Sequence, residues 1–149
     1  MEQQSIYELL GGFPAVLRLA HAWHERVLAD DVVAHAFSHG FHPQHTERLA
    51  AYWAEAWGGP EMYTRSIGSE SSVVRMHSGN GEHDEMDRRA IQCFAEALVD
   101  AEVNGKDLRD ALLAYFTWAT TDRMASFPSK AACVPEDLTL VRWSLGGRV

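Results

Sequence analysis

Val73-Val74-Arg75-Met76-His77, followed at once by Ser78-Gly79-Asn80-Gly81, is the stretch on which the reading of this chain turns. The first five residues continue a helix-forming pattern and the next four break it, so the spacing predicts that His77 stands at a helix end. Upstream, a stronger helical pattern closes on Trp57-Gly58-Gly59-Pro60, with Tyr63 just beyond. Nothing beside His77 makes it half of a hydrolytic dyad, and no second ligand follows at a zinc spacing. A solitary histidine at a helix end, between long helices with apolar faces, is placed to be one axial ligand of a flat apolar cofactor.

Working outward, the pattern is helical nearly throughout and predicts an all-α fold with no strand. Ser5-Ile6-Tyr7-Glu8 reads as a capping box, and Gly11-Gly12 stops the short helix that it starts. Pro14 opens a second helix with Val16, Leu19, Ala20, Trp23 and Val27 on one face. Asp30-Asp31 ends it and caps a short segment at 32–37, and residues 38–43 form a Gly- and Pro-interrupted loop. From Gln44 an inward stripe runs through Leu49, Tyr52, Trp53 and Ala56 to Trp57. Residues 61–70 are poorly periodic. Asp84 caps a long helix with Met86, Ala90, Cys93, Phe94, Ala97 and Ala101 inward, ended by Gly105. Asp107 starts the last one, with Leu108, Leu112, Tyr115, Phe116 and Ala119 inward and Pro128 as its stop. In residues 129–149, Pro135 opens one or two amphipathic turns holding Leu138, Val141 and Trp143.

Composition narrows the function. A chain of 149 residues with 46% hydrophobic and 23% charged residues fits one soluble globular domain. A net charge of -8 without a Lys/Arg cluster argues against a nucleic-acid partner and against an anionic membrane surface. No run approaches the ~20 apolar residues of a spanning helix, and the first residues lack the marks of a signal peptide. Cys93 and Cys133 are too few for a disulfide framework, which predicts a reducing cytoplasm. No GxSxG elbow, phosphate loop or dinucleotide motif is present.

Among the eight histidines, His24 falls on or beside the inner face of its helix. His45 heads the stripe of Leu49, Tyr52, Trp53 and Ala56. Two inward histidines on facing helices are either satisfied core residues or the walls of one polar pocket, and the pattern leaves both readings open. His39, His42 and His45 are evenly spaced, but Pro43 keeps them off one helix face and no HExxH spacing accompanies them, which disfavours a non-haem metal site. His21, His35 and His83 read as surface residues. With His77 as the axial candidate, haem is the cofactor to test. The absence of Cys-x-x-Cys-His makes it non-covalent.

The order of these features resembles the truncated haemoglobins, specifically their second group. The matching residues are Tyr7-Glu8-Leu9-Leu10-Gly11-Gly12, Phe37, Arg48-Leu49, Trp57-Gly58-Gly59-Pro60 with Tyr63, Arg75-Met76-His77 and Cys93. The resemblance covers residues 5 to 128. It implies a two-over-two helical sandwich, with a haem domain at 1–128 and a C-terminal extension at 129–149 packed on the globin or on a partner subunit. It implies haem b with iron on His77 and Phe37 at the haem edge. Tyr63 and Arg75 become candidates for the propionates, and Leu49, Trp53 and Ala90 become cofactor contacts. Against the group's pattern, His24 replaces a tyrosine, His45 a small residue, Ala90 a tryptophan and Met76 an arginine. Gly79-Asn80 stands where Pro-Phe is usual.

An indole and a phenol are thus exchanged for two imidazoles, which titrate near neutral pH and are themselves able to ligate iron. The space at Ala90 is either refilled by Trp23 or Trp53 or left as a pocket. Two functions follow from the resemblance. One is reversible binding of O2, NO or CO, with a redox partner to keep the iron ferrous. The other is a haem-dependent, peroxidase-like conversion of a small organic substrate, with His24 and His45 as acid–base residues. An all-helical interaction module without haem is the third reading. The sequence leaves monomer and homodimer open.

Overall fold

The Ser5 hydroxyl accepts a hydrogen bond from the Glu8 backbone N–H (3.1 Å) and starts α1 (Ile6–Leu10). Gly11, at a φ of 114° that a side chain would strain, ends it. The predicted reciprocal bond is replaced by a direct one, the Ser5 hydroxyl donating to the Glu8 carboxylate at 3.2 Å. This computed structural model describes residues 4–37, 40, 43–79, 84–127 and 130–149.

Pro14 lies in the first turn of α2 (Phe13–Leu28), which buries Val16, Leu19, Ala20 and Val27. The Asp30 carboxylate accepts from the Val32 and Val33 N–H groups at 2.9 and 3.0 Å and opens a 3-10 turn, Val33–Phe37. Next come α3 (His45–Ala56), α4 (Met62–Ser66), α5 (Glu70–Met76), α6 (Asp84–Asp100) and α7 (Lys106–Trp118), the last continuing as a π-helical turn, Ala119–Arg123. Helix α2 packs on α3 and on α6, and α6 packs on α7. The expected all-α, two-over-two sandwich is the observed fold.

Two parts of the chain differ from the expectation. Residues 61–70 hold α4 and a full capping box for α5, in which the Ser69 and Ser72 hydroxyls each accept from the other's N–H at 3.1 Å. A serine in place of the usual Glu or Gln hid that box. At the C-terminus, Pro135 opens no amphipathic helix. The segment instead ends in an antiparallel hairpin, β1 (Trp143–Ser144) with β2 (Gly147–Arg148), Trp143 opposite Arg148. Gly147, at φ 114°, supplies the left-handed residue that the tight turn demands, and Trp143 fits edge-on against Tyr115.

Buried carboxylates fix the short helices. Glu55 reaches from α3 to the start of α4, accepting from the Tyr63 and Thr64 N–H groups and from the Thr64 hydroxyl (3.2, 2.9 and 2.7 Å). Glu70, only 2% exposed, accepts from the Tyr52 hydroxyl at 2.5 Å and from Arg123 Nε at 2.8 Å. Removing one member of such a buried pair typically costs roughly 3–5 kcal/mol, against roughly 0.2–1 for an exposed pair such as Lys106–Asp110. Arg123 also donates to the Thr139 carbonyl (2.6 Å), and the Leu138 N–H donates to the Ser71 hydroxyl (3.0 Å). The tail therefore lies along α5.

The Trp57-Gly58-Gly59-Pro60 turn is a seat for α1. The Tyr7 N–H donates to the Trp57 carbonyl at 3.0 Å. A Cβ on Gly59 would stand 2.7 Å from the Tyr7 ring and 2.8 Å from the Ala54 carbonyl oxygen. One of those neighbours is backbone and cannot swing aside. Gly59→Ala is therefore expected to destabilise the fold by roughly 1–3 kcal/mol in urea unfolding; an unchanged midpoint would mean that α1 does not need this close approach.

Candidate functional site

Three elements bring three rings together. Helix α2 presents His24 on its buried face, the 3-10 turn ends at Phe37, and α3 begins with His45. The ring centroids lie 4.9 Å apart for His24 and His45, 5.6 Å for His24 and Phe37, and 5.2 Å for Phe37 and His45. The two inward histidines thus lie side by side, with Phe37 against both rings.

His77 follows the last residue of α5. Its Nδ1 lies 2.8 Å from the Val73 carbonyl oxygen, one turn back. A carbonyl only accepts, so Nδ1 carries the proton and the lone pair stays on Nε2. That is the tautomer an axial metal ligand needs. His77 is also close enough to His45 to act on its titration. Burial lowers the His45 pKa most, and the charges of His24 and His77 lower it further. Burial followed by His21 lowers that of His24. Both of these imidazoles are therefore neutral at pH 7.

The other predicted positions have the following surroundings. Leu49 follows His45 by one helical turn and is half-buried, and Trp53 follows by two and is buried. The Trp53 ring meets Trp23 at 6.0 Å, Phe94 at 5.5 Å and Trp57, stacked, at 5.3 Å. Tyr63 is buried edge-on against Tyr52, and burial raises its hydroxyl pKa. Arg75 points to the tail, donating to the Val134 carbonyl (3.4 Å) and pairing with Glu136 (3.2 Å). Ala90 is buried, and its carbonyl accepts from the Trp23 indole N–H at 3.2 Å. Trp23 thus reaches the backbone of α6 at Ala90.

His21 and His35 are exposed. His39, His42 and His83 lie outside the described residues, and with them two members of the evenly spaced trio. Sequence reasoning missed the Tyr52–Glu70–Arg123 network and the Trp23–Ala90 bond. Each joins residues far apart in the chain, and neither has a local motif that would have revealed it.

The donor set fits a haem iron: one imidazole with its lone pair fixed by the Val73 carbonyl, a neutral imidazole within its electrostatic reach, and an aromatic edge at Phe37. The family model "Bacterial-like globin" matches residues 5–126. The group 1 truncated haemoglobin GlbN of Synechocystis sp. is 33% identical over 81 residues, which are 53% of this chain and 65% of that protein, so the match spans less than two-thirds of the relative. Among solved structures, the group II truncated haemoglobin of Bacillus anthracis superposes with a TM-score of 0.74 at 16% identity, over 87% of this chain and 97% of that one. A thermostable haemoglobin of the actinobacterium Thermobifida fusca gives 0.68 at 26% identity, over 81% and 96%.

Two outcomes follow from this geometry. Because Ala90 is buried and the Trp23 indole reaches its carbonyl, Ala90→Trp is expected to overpack the α2–α6 contact and to lower stability by roughly 1–3 kcal/mol in urea. A variant as stable as the parent would show that open space remains there. The second concerns pH. The folded chain binds the His24 proton more weakly than the unfolded chain, so the stability that neutral His24 contributes is present above its ordinary pKa of 6.5 and is lost as pH falls below it. In melting curves of the apoprotein between about pH 7.5 and 5.5, His24→Phe should flatten that loss. Parallel pH dependences for the two proteins would remove His24 from the account.

Proposed function

The chain belongs to the bacterial-like globin family, and on that premise we propose that it binds haem b non-covalently and holds O2, NO or CO on the side away from His77. The observation that carries the reading is the 2.8 Å contact of His77 Nδ1 with the Val73 carbonyl, which leaves Nε2 as the ring nitrogen for iron. Haem, when bound, supplies an iron that takes a diatomic gas opposite a single protein nitrogen.

The chain's own residues do the rest. His77 anchors the group, and Phe37 and Leu49 offer it an apolar edge and face. A neutral imidazole has one N–H and one lone pair, which makes His24 and His45 the candidates to contact a bound gas. The same lone pair makes His45 the candidate second axial ligand, because α3 begins with it beside Phe37 and within reach of the His77 charge. Tyr63 and Arg75 are the candidates for the propionates, with Arg75 exchanging its Glu136 partner for a carboxylate of the cofactor. A reductase that keeps the iron ferrous is the implied protein partner.

A second reading has one observation in its favour. Two neutral imidazoles 4.9 Å apart form a unit that can take up and give back a proton, as peroxidase-like turnover requires. The Trp23 indole beside Ala90 takes away space that a bulky organic substrate would use, so gas binding is the better-supported reading. Among the described residues no helix is long and apolar enough to cross a membrane.

Absorption spectra of the haem-reconstituted protein test both axial roles. His77→Ala should lose the cofactor or shift the Soret band grossly, and added imidazole should restore part of it. An unchanged spectrum would make the proximal assignment wrong. His45→Ala should convert a low-spin resting spectrum to a high-spin one, whereas a parent that is already high-spin and insensitive to the change would leave His45 as a hydrogen-bond donor only.

A further inference from the structure

Helix α5 carries His77 just past its end, yet its seven residues are too few to hold a helix in water by themselves. Besides Glu70, its hold comes from the tail. Among the described elements α5 packs most on the 3-10 turn Ala131–Cys133. At its start, the Ser71 hydroxyl, on a residue 1% exposed, accepts from the Leu138 N–H at 3.0 Å. Further along, Arg75 donates to the Val134 carbonyl at 3.4 Å. Beyond its end, the Gly79 N–H donates to the Phe127 carbonyl at 3.0 Å, and a Cβ on Gly79 would stand 3.1 Å from the Ala131 nitrogen. The tail is thus fastened to the chain both before and after His77.

The fastening bears on the imidazole through the last turn of α5. In a regular helix the His77 N–H would donate to the Val73 carbonyl. Here it donates to the Val74 carbonyl at 3.0 Å, and the Ser78 N–H donates to that of Arg75 at 3.1 Å. This tightening leaves the Val73 carbonyl to His77 Nδ1 at 2.8 Å. A helix end commonly closes on itself, with the next N–H groups turned back on its last carbonyls. Phe127 withholds the Gly79 N–H from that closure, while the Ser78 hydroxyl takes the Val74 carbonyl at 2.5 Å. A carbonyl bound to Nδ1–H makes Nε2 more basic and a stronger donor to a metal.

We propose that the tail is a strap that sets the strength of the bond between His77 and iron, with Ser71 and Leu138 as its positioning residues. The proposal rests on the haem reading above for what His77 binds. Its route runs from the tail to the last turn of α5, from that turn to the Val73 carbonyl, and from there through Nδ1 to Nε2.

The bond between Ser71 and Leu138 is the stitch to cut. Arg75 is also a candidate for a propionate, and Gly79 stands too near His77 to be altered without touching it directly. Ser71 lies six residues before His77 and its hydroxyl bonds to the tail, so its influence on the iron passes through α5. With that bond gone, α5 is held less tightly and its last turn relaxes toward regular bonding. The Val73 carbonyl is then shared between the His77 N–H and Nδ1, and Nε2 becomes a weaker donor.

The test takes the whole chain, reconstituted with haem and carrying CO, and photodissociates the gas so that His77 is the sole axial ligand. Resonance Raman then records the iron–histidine stretch. In Ser71→Ala, and in Leu138→Pro, which lacks the N–H, the band is expected broader and at lower frequency than in the parent. Haem should pass to apomyoglobin about fivefold faster, the worth of one buried hydrogen bond. The double variant should match the singles, because each cuts the same bond; additive shifts would mean separate routes and overturn the strap. Gly59→Ala, which weakens the fold at α1, should leave the band in place. An unmoved band in folded Ser71→Ala and Leu138→Pro overturns the proposal, and so does an equal shift in Gly59→Ala. Should Ser71→Ala not fold, Leu138→Pro, in the partly exposed tail, decides alone. If no Soret band forms, the haem reading has failed by itself, and hydrogen exchange of the apoprotein decides. Faster exchange at the His77, Ser78 and Gly79 amides in both variants upholds the strap, and unchanged exchange overturns it.

Discussion

The Glu70 carboxylate is almost wholly withdrawn from water, and much of this structure exists to hold it there. An unpaired buried charge would cost several kcal/mol, so the chain supplies a guanidinium from the end of α7 and a phenol from α3. Those two partners come from opposite layers of the sandwich, and Arg123 also grips the tail through the Thr139 carbonyl. One carboxylate thereby ties α3, α5, the π-helical turn and the C-terminal segment to each other. The π-helical turn suits this task, since the extra residue in its loop is a common device for re-aiming a side chain at a functional point. Helix α5 starts at Glu70 and ends beside His77, so the placement of the candidate iron ligand depends on a charge seven residues away.

At the site itself, two imidazoles set the polar chemistry. A phenol donates from one fixed hydroxyl, whereas a neutral imidazole both donates and accepts, and burial together with neighbouring charge keeps His24 and His45 neutral. Trp23 comes from α2 rather than α6, yet it lies against Ala90 and gives its N–H to that residue's carbonyl.

The aromatic core shows how packing and chemistry share residues. Trp53, Trp57, Phe94, Phe116 and Tyr115 fill the space between the layers with stacked and edge-on contacts, geometries worth about 0.5–1.5 kcal/mol each beyond burial. Any two-layer helical fold would gain from them. What sets this core apart is that the Tyr52 hydroxyl at its edge donates to the Glu70 carboxylate, while the indole N–H groups of Trp57 and Trp143 have no acceptor among the described residues.

Local periodicity and punctuation determined the helices. Val16, Leu19, Ala20 and Val27, like Ala90, Cys93, Phe94 and Ala97, announce their buried faces by spacing alone, because a helix repeats every 3.6 residues whatever it packs on. Gly58-Gly59 and the helix end at His77 were equally legible, since breakers act on their own backbone. The sequence also placed His24 and His45 on inward faces. Only the tertiary structure decided that their rings meet at Phe37, that the Trp23 indole bonds to the Ala90 carbonyl, and that Arg75 is taken by the tail. It alone decided the ending at Trp143, where a hairpin replaced the expected helical turns because the indole's best surface was Tyr115, twenty-eight residues back. Interactions between residues near in the chain leave a periodic trace. Those between distant residues leave none, and the chemistry of this site is built mostly from the second kind.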